Sequence, residues 1–179
     1  VEMWGIDHSF TLKHYIEAFS FEWVEDRGLL WTGTAWNSFN TTFTIALISS
    51  FPTAAIGILT AYLLTRHRFK GKNAFEFGTM LSFAIPGSVI GVSYVFAFNV
   101  PPLELTGTGI ILVIAFVFRN MPVGVRAGIA AMNQLDPHLD EASSTLNASS
   151  AQTFRNIILP LLKPAITASL VFSFVRAMT

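Results

Sequence analysis

From Phe43 to Leu64 the chain reads FTIALISSFPTAAIGILTAYLL, without a single Asp, Glu, Lys or Arg. A hydrocarbon core of ~30 Å needs about 20 apolar residues at 1.5 Å rise per residue, so a run of this length spans a bilayer as a helix. A second uncharged run covers Phe77–Phe98, FGTMLSFAIPGSVIGVSYVFAF. A third opens at Gly109 with GIILVIAFVF, meets Arg119-Asn120-Met121-Pro122, and continues as VGVRAGIAAM to Met132. A fourth, Ala165–Thr179, reads AITASLVFSFVRAMT, with Arg176 toward its far end. Only 12% of the 179 residues are charged, against about 25% in ordinary soluble domains, and mean hydropathy is +0.54. These observations predict an all-α, polytopic membrane helix bundle with about four spans, in contact with lipid.

Prolines punctuate the spans. Pro52 lies inside the first, Pro86-Gly87 midway along the second and Pro122 inside the third. Membrane helices tolerate interior proline because neighbouring groups re-satisfy the freed carbonyl, so kinks are expected at all three places. Ser49, Ser50, Thr53, Ala54, Ala55 and Gly57 supply the small surface that lets helices approach closely. Arg119 is costly at mid-span, by ~2.5–3.5 kcal/mol on insertion scales. Two placements meet that cost: Arg119 and Asn120 face a polar cavity or pathway, or the helix ends and Arg119 snorkels to the interface.

Orientation follows from charge. Arg66, Arg68, Lys70 and Lys72 make the densest cationic cluster, so loop 65–73 is expected in the cytoplasm. Asn99–Thr108 carries Glu104 and no Lys or Arg, which suits the outer side. Alternation then returns residues 133–163 to the cytoplasm. Residues 1–37 are expected as an outer-face, periplasmic amphipathic segment, with a short helix near Thr11–Phe19 that Thr11 could cap. Trp4, Trp23, Trp31 and Trp36 are placed there for an interfacial aromatic belt. No charged and apolar leader opens at Val1, so no cleavable signal is expected. The stop at Thr179 within an apolar run leads us to expect a piece of a longer polypeptide.

Several function classes are disfavoured. Formal net charge is zero, which gives no electrostatic basis for binding nucleic acid. There is no cysteine, hence no disulfide framework, Cys-ligated zinc or thiol chemistry. No metal-ligating or cofactor-binding motif and no phosphate-cradling glycine loop occurs. An intramembrane hydrolase could use Ser88, but His8, His14, His67 and His138 all lie outside the spans, so no base is in reach. A channel or ion-coupled transporter should carry acidic relays in its spans, and these have none.

Between the third and fourth spans lies the one long polar passage, DPHLDEASSTLNASSAQTFRNIILPLLKP, from Asp136 to Pro164. Asp136 suits an N-cap, Pro137 a first helical position, and Asp140 and Glu141 the first turn. Asn147 is a natural left-handed stop, after which a second short helix runs through Phe154 to Leu159. Two short helices with a sharp turn, on the cytoplasmic face, need something outside the membrane to touch.

Glu141-Ala142-Ser143, three residues to Asn147, nine to Ile157, then Leu159-Pro160, resembles the cytoplasmic signature of permeases of binding-protein-dependent ABC importers. That signature is Glu-Ala-Ala, three residues, Gly, nine residues, Ile, one residue, Leu-Pro. Ser143 replaces the second Ala and Asn147 the Gly, so the turn at Asn147 is where this copy departs most. The resemblance covers residues 36–179, with Asn40-Thr41 at the start of the first core helix. The wording RNMPVGVRAGIAAMNQLDPHLDEAS with LPLLKPAI is most similar to ferric-iron permeases; polyamine, thiamine and phosphonate permeases share the framework.

The resemblance implies a type I importer permease fold over residues 38–179 in a bacterial inner membrane. It implies a transport subunit rather than an enzyme, with no cofactor or metal of its own and ATP held by a separate cytoplasmic ATPase dimer. A helix over Glu141–Ser150 would seat in a groove of that ATPase, its small residues at 142–144 allowing close approach. Spans bent at Pro52, Pro86 and Pro122 would then rock between inward- and outward-open states. A periplasmic binding protein would deliver substrate near residues 1–37 and 99–108, and a second permease half, fused or separate, would complete the pathway.

Overall fold

The computed structural model describes residues 12–24 and 28–179, and the chain divides into two compact units, Val1–Phe43 and Thr44–Thr179. In the first unit, α1 (Lys13–Ala18) precedes two strands, β1 (Phe21–Val24) and β2 (Gly28–Trp31). They pair antiparallel with Phe21 opposite Trp31. This small ribbon is an addition to the expected all-helical plan. Its local cause is aromatic: Trp36 gathers Phe19, Phe21 and Trp31 at centroid distances of 5.5, 5.3 and 4.3 Å. Cross-strand aromatic pairs favour a pleated backbone over a helical one. The N-cap of α1 is Leu12, which offers no side-chain cap, and Trp4 and Thr11 lie outside the described residues.

The membrane-length elements follow in order. They are α2 (Thr34–Arg66), the pair α3 (Lys72–Ala84) and α4 (Gly87–Ala97), and α5 (Gly109–Met132). Three short polar-segment pieces come next: α6 (His138–Thr145), α7 (Ser150–Thr153), and α8 (Leu159–Leu161) after a π-helical turn at Phe154–Ile158. The chain closes with α9 (Lys163–Met178). Helices α2 and α5 are each long and apolar enough to cross a membrane. The α3–α4 pair, bent by 107°, and the Ser150–Leu161 plus α9 pair, bent by 72°, could each make a further, broken span.

Why the second run breaks while the first and third continue is a matter of what surrounds each proline. Ile85 is extended at φ −89° and ψ 129°, as a following proline requires, and Pro86 is extended too, so two residues leave the helix together. By contrast α2 and α5 pass through Pro52 and Pro122 as single helices rather than breaking there. Around Pro52 the hydroxyls of Ser49, Ser50 and Thr53 donate to the carbonyls of Ala46, Leu47 and Ser49.

Packing in the second unit is inverted relative to a protein in water. On α2 most buried side chains are small, with Ser49, Thr53, Gly57 and Ala61 at intervals of four, although Ile58 and Leu64 are buried too. Large ones, Ile48, Phe51 and Leu59, point outward. Lipid rewards this arrangement, since small faces permit close backbone approach while bulky faces meet acyl chains. One close contact joins three helices. A methyl built on Gly57 would meet the Gly124 Cα at 3.0 Å, and one built on Gly124 would meet the Ser169 hydroxyl at 2.7 Å. Glycine at position 57 lets α2 close on α5, and glycine at position 124 leaves room for the Ser169 hydroxyl of α9. Below this junction Ile58, Met132, Ile158, Leu162 and Ala165 form a buried cluster that ties the polar segment to α2, α5 and α9.

Candidate functional site

The polar segment is built from local backbone chemistry. The Asp136 carboxylate accepts from the His138 N–H at 2.9 Å, although the assigned helix starts one residue later than a Pro137 first position would place it. Asp140 and Glu141 fall in the first turn of α6, where acids complement the helix dipole. At the other end Asn147 adopts φ 58°, the only positive φ at a non-glycine among the described residues. Its N–H donates to the Ser144 carbonyl at 3.0 Å, and that of Ala148 donates to Ser143 at 3.1 Å. This pair of bonds is a Schellman closure. Ser149 then opens α7 with a reciprocal capping box to Gln152.

Two contacts fix how this helix pair sits. The Ser143 and Thr153 hydroxyls lie 2.6 Å apart, both buried, and join α6 to α7. Arg66, the last residue of α2, brings Nε within 3.1 Å of the Asp140 carboxylate; the charges are close, without the alignment of a hydrogen bond. Tyr62, Arg66, Asp140, Ser143 and Thr153 line a cleft of about 180 Å³ beneath the helix pair.

What α6 turns outward is therefore defined. Glu141 and Ala142 are exposed, and Leu146 is 83% exposed at the helix end. Of positions 142–144, expected together as a close-approach face, Ser143 points inward instead, because its hydroxyl is taken by Thr153. The helix itself covers His138–Thr145 and stops short of Ser150, the Schellman turn intervening. Glu141 accepts from His138 Nδ1 at 3.1 Å. That hydrogen bond, with the nearby Asp136 and Glu141 charges, raises the His138 pKa above its ordinary 6.5. Further along, Ile157 and Leu159 are half-buried and Pro160 exposed, while Ile158 between them is fully buried. The π-helical turn rotates Ile158 rather than Ile157 into the cluster with Met132 and Leu162.

The polar residues of the third span lie far from this helix pair in sequence. Arg119 and Asn120 sit within the unbroken α5, so the helix does not end there. They line a polar cavity of about 390 Å³ with Phe116, Arg176 and Thr179. Arg126, nearer the end of α5, has Glu76 at 3.3 Å, whereas no ion pair among the described residues includes Arg119. Pro52 is half-buried on α2 and Pro122 fully buried on α5; Pro86 and Gly87 stand at the α3–α4 break, where the Arg119 guanidinium packs against Gly87.

Leu146, Thr153, Arg66 and Arg176 were not singled out as site residues from sequence. Leu146 carried a signal, an apolar residue at the end of a largely polar helix. Thr153 and Arg66 did not, since their roles depend on three-dimensional contact.

Residues 53–179 match the family described as binding-protein-dependent transport system inner membrane component. FbpB 1 of Haemophilus influenzae is 50% identical over 176 residues, which is 98% of this chain and 27% of the relative. The ferric transport system permease protein FbpB of Actinobacillus pleuropneumoniae is 49% identical, over 98% of this chain and 24% of its own length. The sulfate transport system permease protein CysT of Escherichia coli is 30% identical, over 79% of this chain and 54% of its own length. The chain thus spans about a quarter of the length of the FbpB relatives. With its apolar spans and its Glu141–Pro160 helix pair, it belongs to the binding-protein-dependent transport system inner membrane component family.

Proposed function

We propose that this chain is part of the membrane permease of an ATP-driven, binding-protein-dependent importer, with ferric iron as its cargo. The observation that carries the reading is α6, a polar helix whose C-terminal end is closed by the backbone bonds of Asn147 and Ala148 while Glu141, Ala142 and Leu146 face outward. A closed, outward-facing helix between spans suits docking into a groove on another protein. Leu146 is the apolar anchor and Glu141 the charge that pairs with a donor on the partner. The partner is a cytoplasmic ATPase dimer, which hydrolyses ATP and pulls on α6. Asp140 with Arg66, and Ile158 with Met132, then pass that displacement to α2 and α5. A binding protein releases cargo at the outer face, and a second permease half completes the pathway. Ferric iron is favoured over sulfate, polyamine, thiamine or phosphonate by the 49% identity to a ferric permease against 30% to a sulfate permease.

Two measurements test this. Glu141→Lys in the full-length protein is expected to abolish iron-dependent uptake while leaving the protein in the membrane; normal ATPase association and uptake would overturn the docking role. Single cysteines at Lys70 and Leu103 are expected to label from opposite faces, and same-side labelling would overturn the orientation.

A further inference from the structure

We infer that the cavity of Arg119, Asn120 and Arg176 is an intramembrane binding site for an oxyanion. Arg119 lies 13 residues from Met132, the end of α5, and Arg176 lies 13 residues from Lys163, the start of α9 (119 to 132, and 163 to 176). Both helix ends border the same polar connection. The two guanidinium groups therefore stand at one depth, roughly 20 Å along each helix at 1.5 Å per residue. They line one cavity with the Asn120 side chain, which is 1% exposed and whose Oδ1 has no hydrogen-bond partner in the chain. An amide so placed can turn either its oxygen or its NH₂ to a ligand.

Among the described residues, positive charge converges here with no acid to answer it. No Asp or Glu lines the cavity, and no ion pair among the described residues includes either arginine. The Arg119 guanidinium also packs against Gly87, the first residue of the 11-residue helix α4, whose N-terminus carries partial positive charge and has no side-chain cap. Ser169, Ser173 and Arg176 recur at helical spacing on α9, and both serines are buried with unpartnered hydroxyls. A bare trivalent cation would be repelled by this arrangement. A planar, bidentate guanidinium pair suits phosphate, sulfate or carbonate oxygens. Such an oxyanion can come alone, as cargo, or as a ligand that travels with ferric iron and cancels its charge.

The inference rests on reading the spans as a transport pathway, but its test stands on binding rather than uptake. The full-length permease, assembled with its ATPase in lipid nanodiscs, is titrated with ³²P-phosphate and ³⁵S-sulfate, with and without ⁵⁵Fe(III). We expect saturable oxyanion binding, weakened about tenfold or more by Arg119→Gln or Arg176→Gln and weakened less by Arg119→Lys, which keeps the charge and loses the bidentate fork, each variant holding its ATPase in the wild-type ratio. Binding without iron identifies a free oxyanion as the ligand. Iron retained only with stoichiometric phosphate identifies the anion-ligated ion. Absence of saturable oxyanion binding, unchanged affinity in both glutamine variants, or retention of iron without any anion would overturn the site. Should the wild type bind oxyanion yet import no iron, the ferric cargo fails and the site stands.

Discussion

The Ser143 hydroxyl lies 2.6 Å from that of Thr153, and this bond between two buried side chains joins the two helices of the polar segment. Each hydroxyl also reaches a carbonyl of its own helix, Asp140 for Ser143 and Ser149 for Thr153. One donates to its partner and the other to a carbonyl, so both protons are used. At Ser143 the signature has alanine, and the exchange would leave the Thr153 hydroxyl with only its intrahelical bond. Ser143→Ala is expected to cost about 1 kcal/mol of stability, and Thr153→Val a similar amount. The double variant should cost less than the sum. Thermal unfolding of the purified full-length permease measures all three, and strict additivity would mean the bond contributes nothing.

Asn147 holds a left-handed conformation that most residues resist. Asn147→Gly removes the Cβ clash and should leave stability unchanged or slightly higher, whereas Asn147→Val should cost about 1–2 kcal/mol or more. Limited proteolysis near Ala148 gives the readout. Equal cleavage in the glycine and valine variants would refute a requirement for positive φ.

These two positions also mark what the sequence makes legible. Asn147 could be read in advance, because few residues stop a helix with positive φ and the spacing from Glu141 required a stop there. The spans could be read because their length and lack of charge leave little choice. Ser143 and the Ile157–Ile158 pair could not: whether a hydroxyl turns in or out depends on Thr153, and a π-helical turn shifts the register by a residue. The aromatic ribbon at Phe21–Trp31 escaped for the same reason, since cross-strand ring contacts outweigh local helix pattern. Of Pro52, Pro86 and Pro122, Pro86 alone is paired with a glycine in sequence, and it alone combines with an extended Ile85 to break its helix.

His138 and Glu141 give a pH signature. Because the folded-state pKa of His138 is raised, the protonated pair is formed below the ordinary value of 6.5 and is lost as pH rises through the raised value. Histidine-selective NMR of the full-length protein should place His138 above 6.5. Glu141→Gln should move it back down, leaving only the smaller influence of Asp136. An unmoved titration would show that Glu141 is not its partner. If α6 docks through Glu141, partner association should also strengthen at alkaline pH, where neutral His138 no longer competes for the carboxylate.

Gly124 is a narrow point of the bundle, and its obstacle is specific. A methyl there would meet the Ser169 Oγ at 2.7 Å, but the Ser169 Cβ only at 3.7 Å and the Gly57 Cα at 3.4 Å. The hydroxyl alone is in the way. Gly124→Ala should therefore destabilise the bundle by about 1–3 kcal/mol, the usual cost of overpacking a tight contact. Adding Ser169→Ala should recover most of that loss, since the remaining neighbours stand at ordinary van der Waals separation. Ser169→Ala alone removes a buried hydroxyl that has no partner and should be neutral or stabilising. Detergent-resistance and thermal-unfolding measurements on the three variants decide the matter. If the double variant is no better than Gly124→Ala, the obstruction lies in the backbone of α2 rather than in the Ser169 hydroxyl.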